Sequence, residues 1–241
     1  MLKYLNFKQD FINHKEQLKG ILALIVYLCY PYLIVIPFNI INYDTSKLSN
    51  TFITLYTVGA EIFVILLIIL LFKKELIKQF NDFKKNKKKY FDKYFKFWFL
   101  LLILTMISNA IIMALNSGEI ANNEEALNKL FTNNPIYVYF LSVLIAPVIE
   151  ELVFRHSIRK IFKNDWLFII ISGLFFGFMH VLGQADKLSE YLYIITYSIP
   201  GFIFAYIYAK SKNIYNPISL HMFHNGIMIC LQFLLLMFGQ N

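Results

Sequence analysis

The chain is poor in the residues that solubilise and punctuate a water-borne domain. Only 16% of its 241 residues are charged, and it holds nine glycines, six prolines and two cysteines. No Pro-, Gly- or Ser-rich stretch marks a linker and no internal repeat is visible, so a single domain over residues 1–241 is the simplest organisation. Cys29 and Cys230 lie far apart in apolar runs and form no C-x-x-C pair. That argues against a thiolate metal cluster or a disulfide framework, and both are expected to pack as buried apolar side chains. No small-residue cleavage site follows the first apolar run, which is also too long for a signal-peptide core. Arginine is the scarcest cation, with two copies in a background of Lys, Ile, Asn, Tyr and Phe, which fits a low-GC bacterial genome.

What is present is apolar: 58% of the residues are hydrophobic and 18% aromatic. Soluble domains of this size are about half apolar, so the excess points to lipid as the solvent. A spanning helix needs roughly 20 apolar residues. Candidate spans are Ile21–Ile41, Thr51–Phe72, Phe97–Leu115, Pro135–Phe154, Trp166–Leu182, Tyr191–Ala209 and Tyr215–Phe238. None alternates polar and apolar residues as a barrel strand does. The fold class is therefore all-α, a polytopic transmembrane bundle of about seven spans.

Lys and Arg set the expected orientation. With the N-terminus inside, the inner segments carry Lys3, Lys8, Lys15 and Lys19, then ten lysines over Lys73–Lys96, then Arg155, Arg159, Lys160 and Lys163, then Lys210 and Lys212. That is 20 of the 23 basic residues, leaving Lys47, Lys129 and Lys187 outside. An N-in, C-out protein of a cell membrane, with a bacterial plasma membrane as the natural host, is expected. The net charge of +8 then needs no nucleic-acid partner. The run Lys84–Lys89 reads first as an inner anchor, with attraction to anionic lipid as an added role.

An ionisable side chain at the bilayer centre costs on the order of 3 kcal/mol, so each one asks for a cavity, a partner or a function. The fourth span ends Glu150-Glu151-Leu-Val-Phe-Arg155. Glu151 and Arg155 are four apart, share a helix face and suit an ion pair; Glu150 is rotated about 100° away and is free for other work. Charges at a span end also serve simply as boundary markers. The fifth span carries Gly173 and Gly177, a spacing that admits a close helix neighbour, and then Phe176 and His180. The seventh begins Asn216-Pro217 and places His221 and Asn225 on one face, with His224 three residues from His221. A lone histidine of this kind is most often hydrogen-bonded packing. Glu61 in the second span and His224 have no evident partner or role.

Combined, the three spans carry what amide hydrolysis needs. A carboxylate and a neutral imidazole hold and deprotonate water, and a further imidazole and a carboxamide donate to an oxyanion. In order, Glu150-Glu151-x-x-x-Arg155, Phe176-x-x-x-His180 and His221-x-x-x-Asn225 resemble the three motifs of the CPBP family, which comprises the type II CAAX prenyl endopeptidases and the bacteriocin-processing and self-immunity relatives also called Abi. The resemblance covers about residues 135–230 as a catalytic core; residues 1–115 match only in being apolar helices. It implies an intramembrane endopeptidase acting on membrane-associated peptides or proteins, in bacteriocin processing, self-immunity or peptide signalling. It implies Glu150 as the base, assisted by His180, with His221 and Asn225 stabilising the oxyanion or positioning water. Glu151 and Arg155 orient the site and Phe176 packs beside His180. Glu150, His180 and His221 also make up a His₂Glu zinc set with an open position for water. The same residues work without metal, and spacing leaves both readings open.

Two other readings fit the composition: a non-catalytic immunity or regulatory membrane protein, and a small proton-coupled transporter, although the internal symmetry usual in transporters is absent. One tension concerns depth. Straight, upright spans put Glu150 near the inner face but His180 about 21 Å outward from Trp166, so the site needs tilt or a fifth span that starts deeper.

Overall fold

A computed structural model describes residues 2–238, and no strand occurs among them. The helices are α1 (Leu2–Leu33), α2 (Ile36–Ile40), α3 (Asn50–Tyr94), α4 (Lys96–Leu115), α5 (Asn122–Asn133), α6 (Pro135–Ile161), α7 (Asp165–Val181), α8 (Tyr193–Ser211) and α9 (Tyr215–Phe238). By length and composition α3, α4, α6, α8 and α9 can cross a membrane. The side chains of Lys3 and Lys8 lie outside the described residues.

Two expected spans differ from the sequence reading. The run Ile21–Ile41 is not one helix: α1 stops at Leu33 and α2 is a separate turn containing Pro37, whose missing N–H and fixed φ interrupt the hydrogen-bond ladder. The run Trp166–Leu182 does form a helix, α7, but its 17 residues reach only about 25 Å, short of the roughly 30 Å hydrocarbon core. Conversely, α3 does not end with its apolar stretch at Phe72. It continues for 45 residues through the lysine run. Its second half packs across the α8–α9 turn, where the Asn213 side-chain amide donates to the Gln79 carbonyl (2.7 Å) and to Asp82 (2.8 Å), and the Ile214 N–H donates to the Gln79 side chain (2.7 Å).

The ion pairs respect the grouping of basic residues made from sequence. Lys160 pairs with Glu16 and Glu75, and Arg159 and Lys210 with Asp165, while Lys187 pairs with Glu119 and Lys129 with Glu125. Glu61 receives a weak hydrogen bond from the Tyr30 hydroxyl at 3.5 Å. Cys29 and Cys230 are exposed rather than buried, because in lipid the outward face of a helix is as apolar as its packed face.

The interior is built around α6. Phe154, Phe168, Phe176, Ala205 and Tyr208 share one buried cluster with Ile68 and Phe72 of α3. Gly20 of α1 touches the far end of α6: a Cβ there would stand 2.5 Å from the Ser157 carbonyl oxygen. Gly173 and Gly177 of α7 meet α8, as their spacing implies. A Cβ on Gly201 would lie 2.6 Å from the Gly173 carbonyl oxygen and 2.8 Å from its Cα, and one on Gly177 would lie 2.6 Å from the Ile194 carbonyl oxygen. These contacts are backbone against backbone, so no rotamer change relieves them. Gly201→Ala is expected to force α7 and α8 apart at a cost of about 1–3 kcal/mol; a thermal melt of the detergent-solubilised protein checks this, and an unchanged midpoint would contradict the close approach.

Candidate active site

The site is organised by α6, whose hydrogen-bond ladder widens twice into π turns, over Phe140–Ile145 and Glu151–Ser157. Such widening recurs at functional sites. Around the first segment, the Ser142 carbonyl accepts from the Asn225 side-chain amide of α9 at 2.8 Å. In the second, the Phe154 carbonyl accepts from Ser172 of α7 at 2.6 Å. The widened turns thus dock α6 onto both helices that carry the histidines.

Glu151 and Arg155 are fully buried, with Glu151 Oε2 3.2 Å from Arg155 Nε. The pair has the approach of an ion pair without the alignment of a full hydrogen bond. Arg155 also donates to the Gly201 carbonyl (3.3 Å), and its guanidinium lies over the Phe176 ring, 4.3 Å from the centroid. The expected Glu151–Arg155 pairing is therefore present, but it is only half of what Glu151 does. Its Oε1 stands 2.9 Å from His221 Nδ1. A carboxylate held by arginine accepts, so Nδ1 carries the proton and Nε2 is left to face the other way. Nε2 lies 3.7 Å from Glu150 Oε2. Phe204 stacks on the His221 ring at 4.8 Å, fixing its plane. Glu150 keeps 16% side-chain exposure against none for Glu151, so Glu150 is the carboxylate a substrate or water can reach.

Glu150, Phe176, His180, His221, His224 and Asn225 all line one cavity of about 490 Å³ between the helices. Within it the groups are not equivalent. His180 makes no direct contact with Glu150; its Nδ1 is 2.8 Å from the Phe176 carbonyl, and its ring stacks on Tyr197 at 5.0 Å and lies 4.4 Å from Phe176. A carbonyl only accepts, so His180 Nδ1 is the protonated nitrogen and Nε2 is an acceptor. His224 places a buried Nδ1 with no hydrogen-bond partner.

Depth is reconciled by the length of α6. The helix runs on past Phe154 to Ile161, so Glu150 lies about 16 Å above its end, while His180 lies about 22 Å above the start of α7. Both residues line the same cavity.

No three His, Cys, Asp or Glu side chains among the described residues stand together as a metal-holding group. His221 keeps Nε2 toward Glu150, but His180 stands apart from Glu150 and turns Nδ1 to the Phe176 carbonyl. As placed, Glu150, His180 and His221 do not fit zinc.

Sequence reasoning missed Phe204, Ser142, Tyr197 and Glu124. Glu124 belongs to α5, lines the same cavity, and burial pushes its carboxyl above the usual carboxylate range. Its signal was legible: it sits three residues before Leu127 and seven before the buried Phe131, on the inward stripe of an amphipathic helix.

The geometry separates the two adjacent glutamates by stability. Glu151→Gln leaves Arg155 as an uncompensated buried charge, a loss of about 3–5 kcal/mol. Glu150→Gln removes no such partner and is expected to leave the melt nearly unchanged. Thermal unfolding of both variants in one detergent checks this, and equal destabilisation would contradict the division of roles.

Comparison with known proteins gives the family. Residues 132–227 match the family described as type II CAAX prenyl endopeptidase Rce1-like. The chain is 32% identical over 182 residues to the UPF0177 protein YvdC of Lactococcus lactis, covering 73% of this chain and 67% of that one. It is 27% identical over 229 residues to the membrane-embedded CAAX protease MroQ of Staphylococcus aureus, covering 89% of each. It is 30% identical over 154 residues to the UPF0177 protein YajF of Lactococcus lactis, covering 60% of this chain and 74% of that one. No solved structure matches. With its apolar helices and bacterial relatives it is a multi-pass bacterial membrane protein. The chain belongs to the type II CAAX prenyl endopeptidase Rce1-like family of membrane proteases.

Proposed function

We propose that this protein is an intramembrane endopeptidase that hydrolyses peptide bonds of membrane-associated peptides with water activated by Glu150. The observation that carries the reading is the Glu151–His221–Glu150 arrangement: His221 is pinned at Nδ1 by a buried carboxylate, and its Nε2 is turned toward the reachable one.

In this reading water sits beside Glu150 in the cavity. Glu150 takes one proton as the water oxygen bonds to the scissile carbonyl carbon, and the carbonyl oxygen becomes an oxyanion. Asn225 gives one amide N–H to Ser142 and keeps a second for that oxyanion. With Nδ1 of His221 on Glu151 and Nδ1 of His180 on the Phe176 carbonyl, each ring turns Nε2 to the cavity, where it orients water. When the C–N bond breaks, the proton held by Glu150 passes to the leaving nitrogen. A site walled off from bulk water strengthens each of these dipoles. Arg155 and Phe176 hold the frame and touch no reacting atom. The same chemistry serves the processing of bacteriocin or signalling-peptide precursors, and it uses a glutamate base rather than zinc.

Mass spectrometry of membrane peptides from cells carrying the wild type or Glu150→Gln tests it. The wild type is expected to generate new peptide termini that the variant loses by about 10²–10⁴-fold. Identical termini from both proteins would sink the proposal and leave a non-catalytic immunity or regulatory role.

A further inference from the structure

The cavity carries one carboxylate that the proposed chemistry does not use. Glu124 and Glu150 are its acidic lining residues, and neither Lys nor Arg lines it. The charge of Glu151 is offset by Arg155 behind the wall. The cavity is therefore electronegative in surroundings that screen poorly.

Glu124 is also distinct from its acidic neighbours. Glu125 pairs with Lys129 and Glu119 with Lys187, whereas Glu124 has no ion-pair or hydrogen-bond partner among the described residues. It occupies the inward stripe of α5, the face that also carries Leu127 into the cavity. An amphipathic helix that needed only a solvated first-turn acid has Glu125 on its outer face already. Two further groups in the same cavity lack partners: Thr105 Oγ1 of α4 and His224 Nδ1 of α9 are both buried and unbonded. A peptide backbone supplies what these two lack, and a cationic side chain supplies what Glu124 lacks.

We propose that Glu124 is a specificity-determining residue that receives a basic side chain of the substrate, so that the peptides taken into this cavity are apolar segments carrying a lysine or arginine near the bond to be cut. The proposal rests on the protease reading for the word substrate, but the binding preference itself does not depend on turnover. Burial raises the Glu124 carboxyl, and a bound cation would favour its ionised form.

The test uses the full chain in nanodiscs of zwitterionic lipid, in a Glu150→Gln background that leaves Glu124 as the lining carboxylate and blocks cleavage. The probes are a dansyl-labelled apolar peptide with one central lysine and its matched glutamine version, titrated by fluorescence. The lysine peptide is expected to bind about fivefold more tightly, within the range of a partly exposed ion pair. Glu124→Gln should abolish that difference, while Glu124→Lys should reverse it. Equal binding of the two peptides, a lysine preference that survives Glu124→Gln, or no saturable binding of the lysine peptide would each overturn the proposal. Incubating the lysine peptide with the Glu150 protein separates the two ideas. Binding preference without cleavage would count against the protease reading alone.

Discussion

The structure depends on how one buried negative charge is held. Glu151 is fully enclosed, and an isolated carboxylate in such a place would lose its charge or break the fold. It is partnered from two sides, by Arg155 one turn along α6 and by the His221 ring from α9. Each partner is then held in turn. Arg155 reaches the Gly201 carbonyl of α8 and lies over Phe176 of α7; His221 is stacked by Phe204 of α8. Four helices are thereby referred to one carboxylate. Buried ion pairs are weak sources of stability, since desolvation offsets their attraction, so the pair is better understood as fixing geometry. What it fixes is the direction of His221 Nε2 toward Glu150.

That geometry requires close helices and a helix that is not regular. Gly173 and Gly201 let the α7 and α8 backbones touch, which brings the Gly201 carbonyl within reach of the guanidinium. The π turns of α6 supply the remaining adjustment. Within or beside those turns α6 offers the carbonyls of Ser142 and Phe154 to Asn225 and Ser172, so the helix that carries Glu150 and Glu151 is docked by side chains of α9 and α7.

Much of this was legible in the sequence, and the reasons are physical. In lipid, intramembrane polar residues are costly, so a scan for Glu, Arg, His and Asn in apolar runs finds the cluster directly. Helical phase separated Glu150 from Glu151, and the structure keeps that separation. Phase between neighbours on one helix says nothing about partners on another, which is why the Glu151–His221 contact was out of reach. The π turns escaped for a related reason: widening a ladder leaves no mark in residue type. The first and fifth expected spans differ in extent from the helices because hydropathy counts apolar residues and not hydrogen bonds. Pro37 ends the run that Ile21 begins, and α7 is shorter than the membrane core.

The short α7 also sets where its histidine stands. A helix of about 25 Å beside an α6 of 27 residues cannot present its histidine at the level of Glu150 when His180 sits one residue from its end. His180 instead stands toward Asn123 and Tyr197, where α5 covers the bundle. One cavity nevertheless includes both His180 and the Glu150–His221 pair, and Glu124 and Leu127 of α5 line it with them. A peptide seated there would meet α5 and the Glu150–His221 pair in one space, which is how the proposed Glu124 contact would bear on the peptides held beside Glu150.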